Sequence, residues 1–569
     1  MICLSRIRHP ALALPPCTPM TVGKIFPITL LLALLAANSE AYPVNRPRLS
    51  QSAQTVEAWD FIEITLKIGS PRAQNPFIDA SLEGEFGKSG DRQRLKVLGF
   101  CDFDDGSIFR LRFMPQTPGD YTYSLAYRQG STEAPYTGRF RAVARRRRGI
   151  LRVDPAYPFH FLWQGTGEHY YLNGTTAFML MGWADEKVIT ACLDRFQRFK
   201  INRVRVLLTG RWDRFATEPV KNRNGFSAIL NPWRAERPDS IEDPGFDYAR
   251  FNVAHWQKFE RLLRAARERN IIISVILDWN DTKAHTAPGS EDERRYFRYA
   301  VARLGGFSNV TWDLGDDLDS FRDEAWTHAA GTYLMSVDPY RHLATSHPVH
   351  NEHQDRTADW FGMTSFQQWP RPLHQWMLDQ RKQQAQTGRL IPQVNEEYGY
   401  EDHYPEWNPV AAPGCSADAD RRAAWEIAMA GTYQTTGETA KRGTGVPPDT
   451  GGGWVNGRAD ASMLLLELQS HMVDFFTSFD WWKAEPHDEL VNQGAFCLAQ
   501  PGEVYAVYLP HGGQVTIKLE PGPYHAHWFQ PRTGQTTELG EITGPDWTSP
   551  KSRDIDDWAL LVRRAKKQP

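Results

Sequence analysis

From about residue 150 to about residue 485, strand-like and helix-like stretches take turns along the chain, and the strand-like ones are largely apolar. Asn202 to Leu208 is one such strand and Ile271 to Leu277 is another. Between them Val253, Trp256, Phe259, Leu263 and Ala266 recur at helical spacing, and Val188, Cys192 and Phe196 do the same before the first strand. A strand that is apolar on both faces needs cover on both faces. Repeated βα units supply it as a parallel sheet with helices outside. Roughly 330 residues fits a (β/α)8 TIM barrel with enlarged loops. An open doubly wound sheet is the rival, but no Gly-rich phosphate loop follows any strand.

The flanks follow a different rhythm. In Phe61 to Leu66 the apolar Ile62, Ile64 and Leu66 alternate with Glu63 and Thr65, and Ile108 to Phe113 keeps a similar period of two. Turn signals at Asp105-Gly106 and Pro118-Gly119-Asp120 separate such strands. This is the pattern of an Ig-like β-sandwich. Past residue 489 the chain returns to β, with Val504 to Leu509 and Val515 to Leu519 flanking His511-Gly512-Gly513 as an expected hairpin. The reading is multidomain: a leader over 1–41, an N-terminal β-sandwich over 42–148, a catalytic barrel over 149–488 and a small C-terminal β-sandwich over 489–569. The basic run Arg145 to Arg148 reads as a solvated linker.

Lys24 precedes an apolar run from Ile25 to Ala37, and Ser39-Glu40-Ala41 is a small-x-small cleavage site. The run is short for a membrane span, so export to the periplasm or beyond is expected, with cleavage after Ala41 and no stable membrane insertion. A net charge of −3 creates no field that would draw nucleic acid. Cys101, Cys192, Cys415 and Cys497 are widely spaced with no CxxC pattern, which disfavours a zinc site. Cys192 is expected to be buried on an apolar helix face.

Two apolar stretches end on acids. One is Asn309-Val310-Thr311-Trp312-Asp313-Leu314-Gly315-Asp316-Asp317, and the other is Ile391-Pro392-Gln393-Val394-Asn395-Glu396-Glu397-Tyr398. A buried charge is costly unless it is paired or used. The C-terminal ends of barrel strands are where such folds keep their chemistry. Two carboxyl groups facing each other are the minimum for cutting a glycosidic bond: one protonates the leaving oxygen, and the other attacks the anomeric carbon or activates water. Asp317 and Glu397, 80 residues apart, would stand on strands that face each other across the mouth. Asp316 and Glu396 are the neighbours most easily confused with them. In a regular strand adjacent side chains point to opposite faces, so one of each pair is expected to face in.

Trp312 to Asp317 resembles the fourth-strand motif of clan A retaining glycosidases, where an aromatic-bearing strand ends on the acid/base. That clan usually has Asn-Glu there. The apiosidase-like branch typically has Gly-Asp, which is closer to this chain. Glu397 followed by Tyr400-Glu401 resembles that branch's nucleophile motif, and Tyr171 to Ala177 resembles its first-strand motif. Gln530 to Gly534 resembles the C-terminal, collagen-binding-like β module often attached to these barrels, and the leading sandwich resembles their usual N-terminal module. The resemblance implies Asp317 as general acid/base and Glu397 as nucleophile. It does not imply apiose as the sugar.

Arg205 is placed to hold the nucleophile ionised. His347 and His350 follow an expected strand and are candidates for bonding sugar hydroxyls. Asp278, Tyr400 and Gln434 are further candidate substrate contacts, and Trp279, Trp369 and Trp454 are candidate stacking platforms. The partner implied is a polysaccharide or oligosaccharide; no cofactor and no metal is expected. Two other classes stay open here. One is a non-catalytic glycan-binding surface protein, which intact acids at both strand ends disfavour. The other is a metal-dependent barrel hydrolase, disfavoured because no His-x-His ends a first strand.

Overall fold

A computed structural model describes residues 47–211, 225–280, 282, 284–351, 356–401, 416–438, 453–457 and 464–565. The leader expected over 1–41 and Cys415 lie outside these described residues.

The barrel strands are β1 (Asn173–Thr176), β2 (Arg203–Leu207), β3 (Ile272–Ile276), β4 (Val310–Asp313), β5 (Ala344–Thr345), β6 (Thr364–Gln367), β7 (Gln393–Glu397) and β8 (Tyr433–Glu438). They run in the order β5-β4-β3-β2-β1-β8-β7-β6, and every pair is parallel. Between β5 and β6 a parallel bridge from Ala344 to Phe361 narrows the remaining seam. Helices stand between the strands: α1 (Glu186–Arg198), α2 (Val253–Glu268), α3 (Glu291–Leu304), α4 (Glu324–Val337), α5 (Leu373–Gln386), α6 (Ala417–Met429) and α7 (Leu465–Phe476). Asp185, Asn252, Ser290, Asp323 and Ser416 cap the starts of α1, α2, α3, α4 and α6 by accepting backbone N–H bonds. The TIM barrel read from the apolar alternation is therefore present. Val204 and Val206 of β2 pack into the same core as Trp256, Phe259 and Leu263 of α2. Cys192 is buried on α1, as expected.

The N-terminal part is a sandwich of a four-stranded and a five-stranded sheet. Ile62, Ile64 and Leu66 are fully buried and share a core with Tyr121, Tyr123 and Leu125 of the other sheet. The polar face of the same strand joins the sandwich to the barrel helices. Glu63 accepts from Arg112, which donates to Glu260 of α2 at 2.7 Å, and Arg303 of α3 reaches Asp102 at 2.8 Å. Arg145, Arg146 and Arg148 of the basic run are exposed, and its charges are paired. Arg147 pairs with Glu57 at 2.6 Å and Asp60 at 3.0 Å, and Arg148 lies 3.5 Å from Glu168. The run is a strap of ion pairs along the chain's passage into the barrel.

The C-terminal part holds a six-stranded sheet and a two-stranded ribbon. The expected hairpin does not form. Val504–Leu509 pairs with Phe496–Gln500 and Trp558–Arg564, whereas Thr516–Lys518 pairs with Asp546–Thr548. Gly512 and Gly513 both adopt positive φ, and the chain then crosses to the second layer. There Val515, Ile517 and Leu519 bury against Tyr505 and Val507. Covering that face outweighs closing a local turn.

Candidate active site

The site is built around Arg205. It is fully buried at the third position of β2, pointing into the barrel. Its Nη1 donates to Glu397 Oε1 at 3.1 Å and its Nη2 donates to Asp316 Oδ1. Asp313 stands 3.7 Å away and Glu396 3.9 Å away. Two residues earlier on the same face, Arg203 donates to both oxygens of Glu396 at 2.8 Å and to Ser274 Oγ at 2.8 Å. Two guanidinium groups thus serve four buried carboxyl groups, arranged in two layers.

The strand-end geometry decides which acids meet. β4 stops at Asp313, and Leu314-Gly315 carries the chain into a turn. A side chain at Gly315 would meet Leu318 at 2.5 Å and the Asp278 carbonyl at 3.2 Å, so the close turn depends on glycine. Asp316 N–H donates to the Asp278 carbonyl at 3.1 Å, and His347 N–H donates to the Gly315 carbonyl at 3.1 Å. The turn delivers the Asp316 carboxyl to Arg205. Asp317 adopts φ 51°, and its Oδ2 accepts from Asn280 at 3.1 Å. It opens the short 3-10 turn Leu318–Ser320.

On the opposite wall the rule of alternating faces gives way. Both Glu396 and Glu397 turn inward, to Arg203 and Arg205 respectively. The pairing register between β6 and β7 shifts between Phe366 and Gln367, and such an irregularity re-aims a side chain at a strand end. Glu401, a little further on, accepts from the N–H groups of Leu464 and Leu465 and so caps α7.

One oxygen each from Asp316 and Glu397 and one nitrogen of His347 lie within 4.8 Å of one another. His347 is fully buried. Its Nδ1 is 3.0 Å from Ser365 Oγ, and its Nε2 is 3.6 Å from Glu397 and 3.8 Å from Asp316. Burial holds this imidazole well below its ordinary pKa, and the charge of Arg205 acts in the same direction, so it is neutral. An Asp-His-Glu trio has the composition of a metal-ligand set. Here, however, the two carboxylates already bind a guanidinium.

Burial pushes the Glu397 carboxyl up to about 8; the charge of Asp316 adds to this, and Arg205 opposes it. Burial raises Asp316 as well, against the pull of Arg205. Two carboxyl groups this close titrate as a pair, and the singly protonated form is the stable one over a wide range. Glu396 differs. Burial acts to raise it, but Arg203 and Arg205 together hold it below the usual carboxylate range.

Aromatic rings wall the site. Tyr400 interacts with Glu397 and stacks on Trp454 with ring centroids 5.1 Å apart, while Trp369 meets Tyr400 edge-on at 5.4 Å. Trp279 interacts with Asp316 and stacks on Phe178, whose ring lies 5.4 Å from the Arg205 guanidinium carbon. Of the residues singled out in the sequence, Arg205, Trp279, His347, Trp369, Glu397, Tyr400 and Trp454 come together here.

Others do not. The Asp278 carboxyl is occupied by His285 at 2.8 Å and Arg322 at 3.2 Å, so this residue supports the Asp316 turn through its backbone. His350 is exposed and lies 3.1 Å from Asp319. Gln434 does join β8 to β1 through Asn173 at 2.6 Å, but its side chain faces the helix layer, where Tyr398 and Gln469 donate to it. Phe178 and Arg203 are site residues that sequence reasoning missed. Phe178 directly follows the Tyr171 to Ala177 motif, and Arg203 is the other arginine of the Asn-Arg-Val-Arg strand.

Comparison with known proteins bears on this arrangement. Residues 159–437 match the family model described as the apiosidase-like catalytic domain. The barrel is an apiosidase-like catalytic domain. The chemistry of this apiosidase-like protein is therefore that of a glycosidase. Residues 55–128 match a domain of unknown function, DUF5060, and residues 487–563 match a candidate collagen-binding domain of a collagenase. A candidate glycoside hydrolase from Bacteroides vulgatus ATCC 8482 shares the fold with a TM-score of 0.73 at 20% identity, over 90% of this chain and 100% of that one. A family 5 glycoside hydrolase from the same organism gives a TM-score of 0.59 at 16% identity, over 74% of this chain and 94% of that one. No curated protein matches the sequence.

Proposed function

We propose that this apiosidase-like protein hydrolyses an O-glycosidic bond in a complex polysaccharide with net retention, using Asp316 as acid/base and Glu397 as nucleophile. The observation that carries the reading is the approach of one oxygen of each carboxyl group to within 4.8 Å at the barrel mouth, both groups on Arg205. Retaining enzymes hold their carboxyl groups about 5–5.5 Å apart, whereas inverting ones need about 6.5–9.5 Å to admit a water between acid and sugar. An aspartate at position 316 reaches this spacing because the turn through Gly315 advances its backbone toward the mouth.

In the active form one proton sits on Asp316 and Glu397 is ionised, held by Arg205 and Tyr400. Glu397 attacks the anomeric carbon as Asp316 protonates the departing oxygen, through an oxocarbenium-like transition state. Asp316, now a carboxylate, then takes a proton from the water that releases the sugar from Glu397. Neutral His347, with its Nδ1 side bound to Ser365, offers Nε2 to a sugar hydroxyl. Tyr400, Trp369, Trp454 and Trp279 line the cleft, and their rings suit the flat apolar faces of a pyranose or furanose. The apolar run from Ile25 to Ala37 supports export, and no helix of the described residues is long and apolar enough to cross a membrane.

A panel of aryl glycosides and complex polysaccharides, followed by NMR of the first-formed sugar, tests the reading. The expected product keeps the anomeric configuration of the substrate; an inverted first product sinks the two-step mechanism. The pH dependence is a second expectation. Activity needs one proton on the pair, so kcat/KM is expected to be bell-shaped. It should fall on the acid side as a second proton joins the pair and on the alkaline side as the shared proton leaves, both carboxyl groups being raised by burial. A rate that keeps rising beyond pH 9 would contradict it.

A further inference from the structure

Beneath the catalytic pair lies a carboxyl group that the mechanism above does not use. Asp313 is the last residue of β4 and is fully buried. Its Oδ1 accepts from the Gly315 N–H at 3.2 Å, but its Oδ2 has no hydrogen-bond donor. The nearest cation is Arg205, 3.7 Å from that oxygen. The other charged groups facing Asp313 are Arg203 from β2, Asp316 from the end of its own strand, and Glu396 from β7. Arg203 is committed to Glu396 by two bonds. Arg205 is therefore left to three carboxyl groups, and it bonds the upper two while Asp313 goes without.

A buried carboxylate oxygen with no donor destabilises the fold, the more so when charged. An apolar residue would avoid that cost.

We propose that Asp313 is a positioning residue for the catalytic pair: its charge competes with Asp316 and Glu397 for Arg205 and keeps a proton on Asp316 at pH values where the pair would otherwise lose it. The inference rests on the assignment of Asp316 and Glu397 given above. Burial pushes the Asp313 carboxyl up to about 7, with Arg205 opposing. Its negative charge thus grows as the pH rises through the neutral range, and a growing negative charge next to Asp316 makes that proton harder to remove. The device extends the working range on the alkaline side.

Asp313→Asn tests it, because asparagine keeps the shape and the acceptor for Gly315 but never ionises. The readout is the pH profile of kcat/KM on whichever aryl glycoside or polysaccharide the unaltered protein hydrolyses. The alkaline limb is expected to move to lower pH by about one unit, with a smaller change on the acid limb. A residue that merely packs would lower the melting temperature, or the rate at every pH, and leave the limb where it was. An alkaline limb that superimposes on that of the unaltered protein overturns the proposal. Should Asp313→Asn not fold, Asp313→Ser, smaller and also uncharged, is read in the same way. Asp316→Asn and Glu397→Gln, assayed alongside, keep the two ideas apart. Full activity in both overturns the site assignment, whereas an unmoved limb with both inactive overturns only the role of Asp313.

Discussion

Asp316→Asn is expected to lower kcat/KM on a natural polysaccharide by about three orders of magnitude, within the range that a positioned acid/base contributes. Asparagine keeps the volume and an acceptor for Arg205, so the fold and the Trp279 contact should survive. The loss should shrink on aryl glycosides whose phenolate departs without protonation, because there the first step no longer needs an acid. Asp317→Asn is the matched comparison. Asp317 turns to Asn280 from a left-handed backbone position that asparagine also tolerates, and its replacement should change the rate by less than about tenfold. Assays of both variants on both substrate types separate the adjacent aspartates. Equal losses at the two positions would contradict the assignment of Asp316.

Glu397→Gln is expected to cost more, about six orders of magnitude, as when the nucleophile of a catalytic unit is removed. The substituted side chain would present a neutral amide where Arg205 now meets a carboxylate, and no covalent intermediate forms on an amide. Steady-state rates and a far-UV spectrum on the same sample check that activity is lost while the fold remains. Wild-type activity in this variant would move the nucleophile elsewhere. Glu396 would then be the next candidate, although two bonds from Arg203 already occupy it.

The architecture was legible because burial writes itself into residue type. Strands covered on both faces must be apolar, as Val204, Val206 and Ile272–Ile276 are, and sandwich strands must alternate, as Ile62, Ile64 and Leu66 do. The inward place of Glu397 was legible for a related reason: an acid closing an apolar strand needs a partner, and Arg205 was a visible one. The choice between Asp316 and Asp317 was less legible. Alternation of faces describes a strand, but β4 ends at Asp313 and the turn through Gly315 follows its own geometry. The Gly315-Asp316 pair, which matches the Gly-Asp of the apiosidase-like branch, was the signal for the aspartate that meets Arg205. Glu396 and Glu397 both face inward because of a register shift with β6, and a pairing partner's register is not written in β7 itself. Gln434 and the C-terminal glycine turn differ from expectation for the same underlying reason. Which layer a side chain or strand joins is decided by distant segments, here α7 and Asp546–Thr548.

Retention with Glu397 as nucleophile has one chemical consequence that neither an inverting hydrolase nor a non-catalytic binder shares: a sugar bonded covalently to Glu397. A 2-deoxy-2-fluoro glycoside of the sugar that the protein accepts, with an activated leaving group, slows the second step and allows that adduct to accumulate. Intact mass followed by peptide mapping is the measurement. Stoichiometric inactivation is expected, with the added mass on the peptide that contains Glu397. An adduct on a peptide lacking Glu397, or turnover with an inverted product and no adduct, would contradict it.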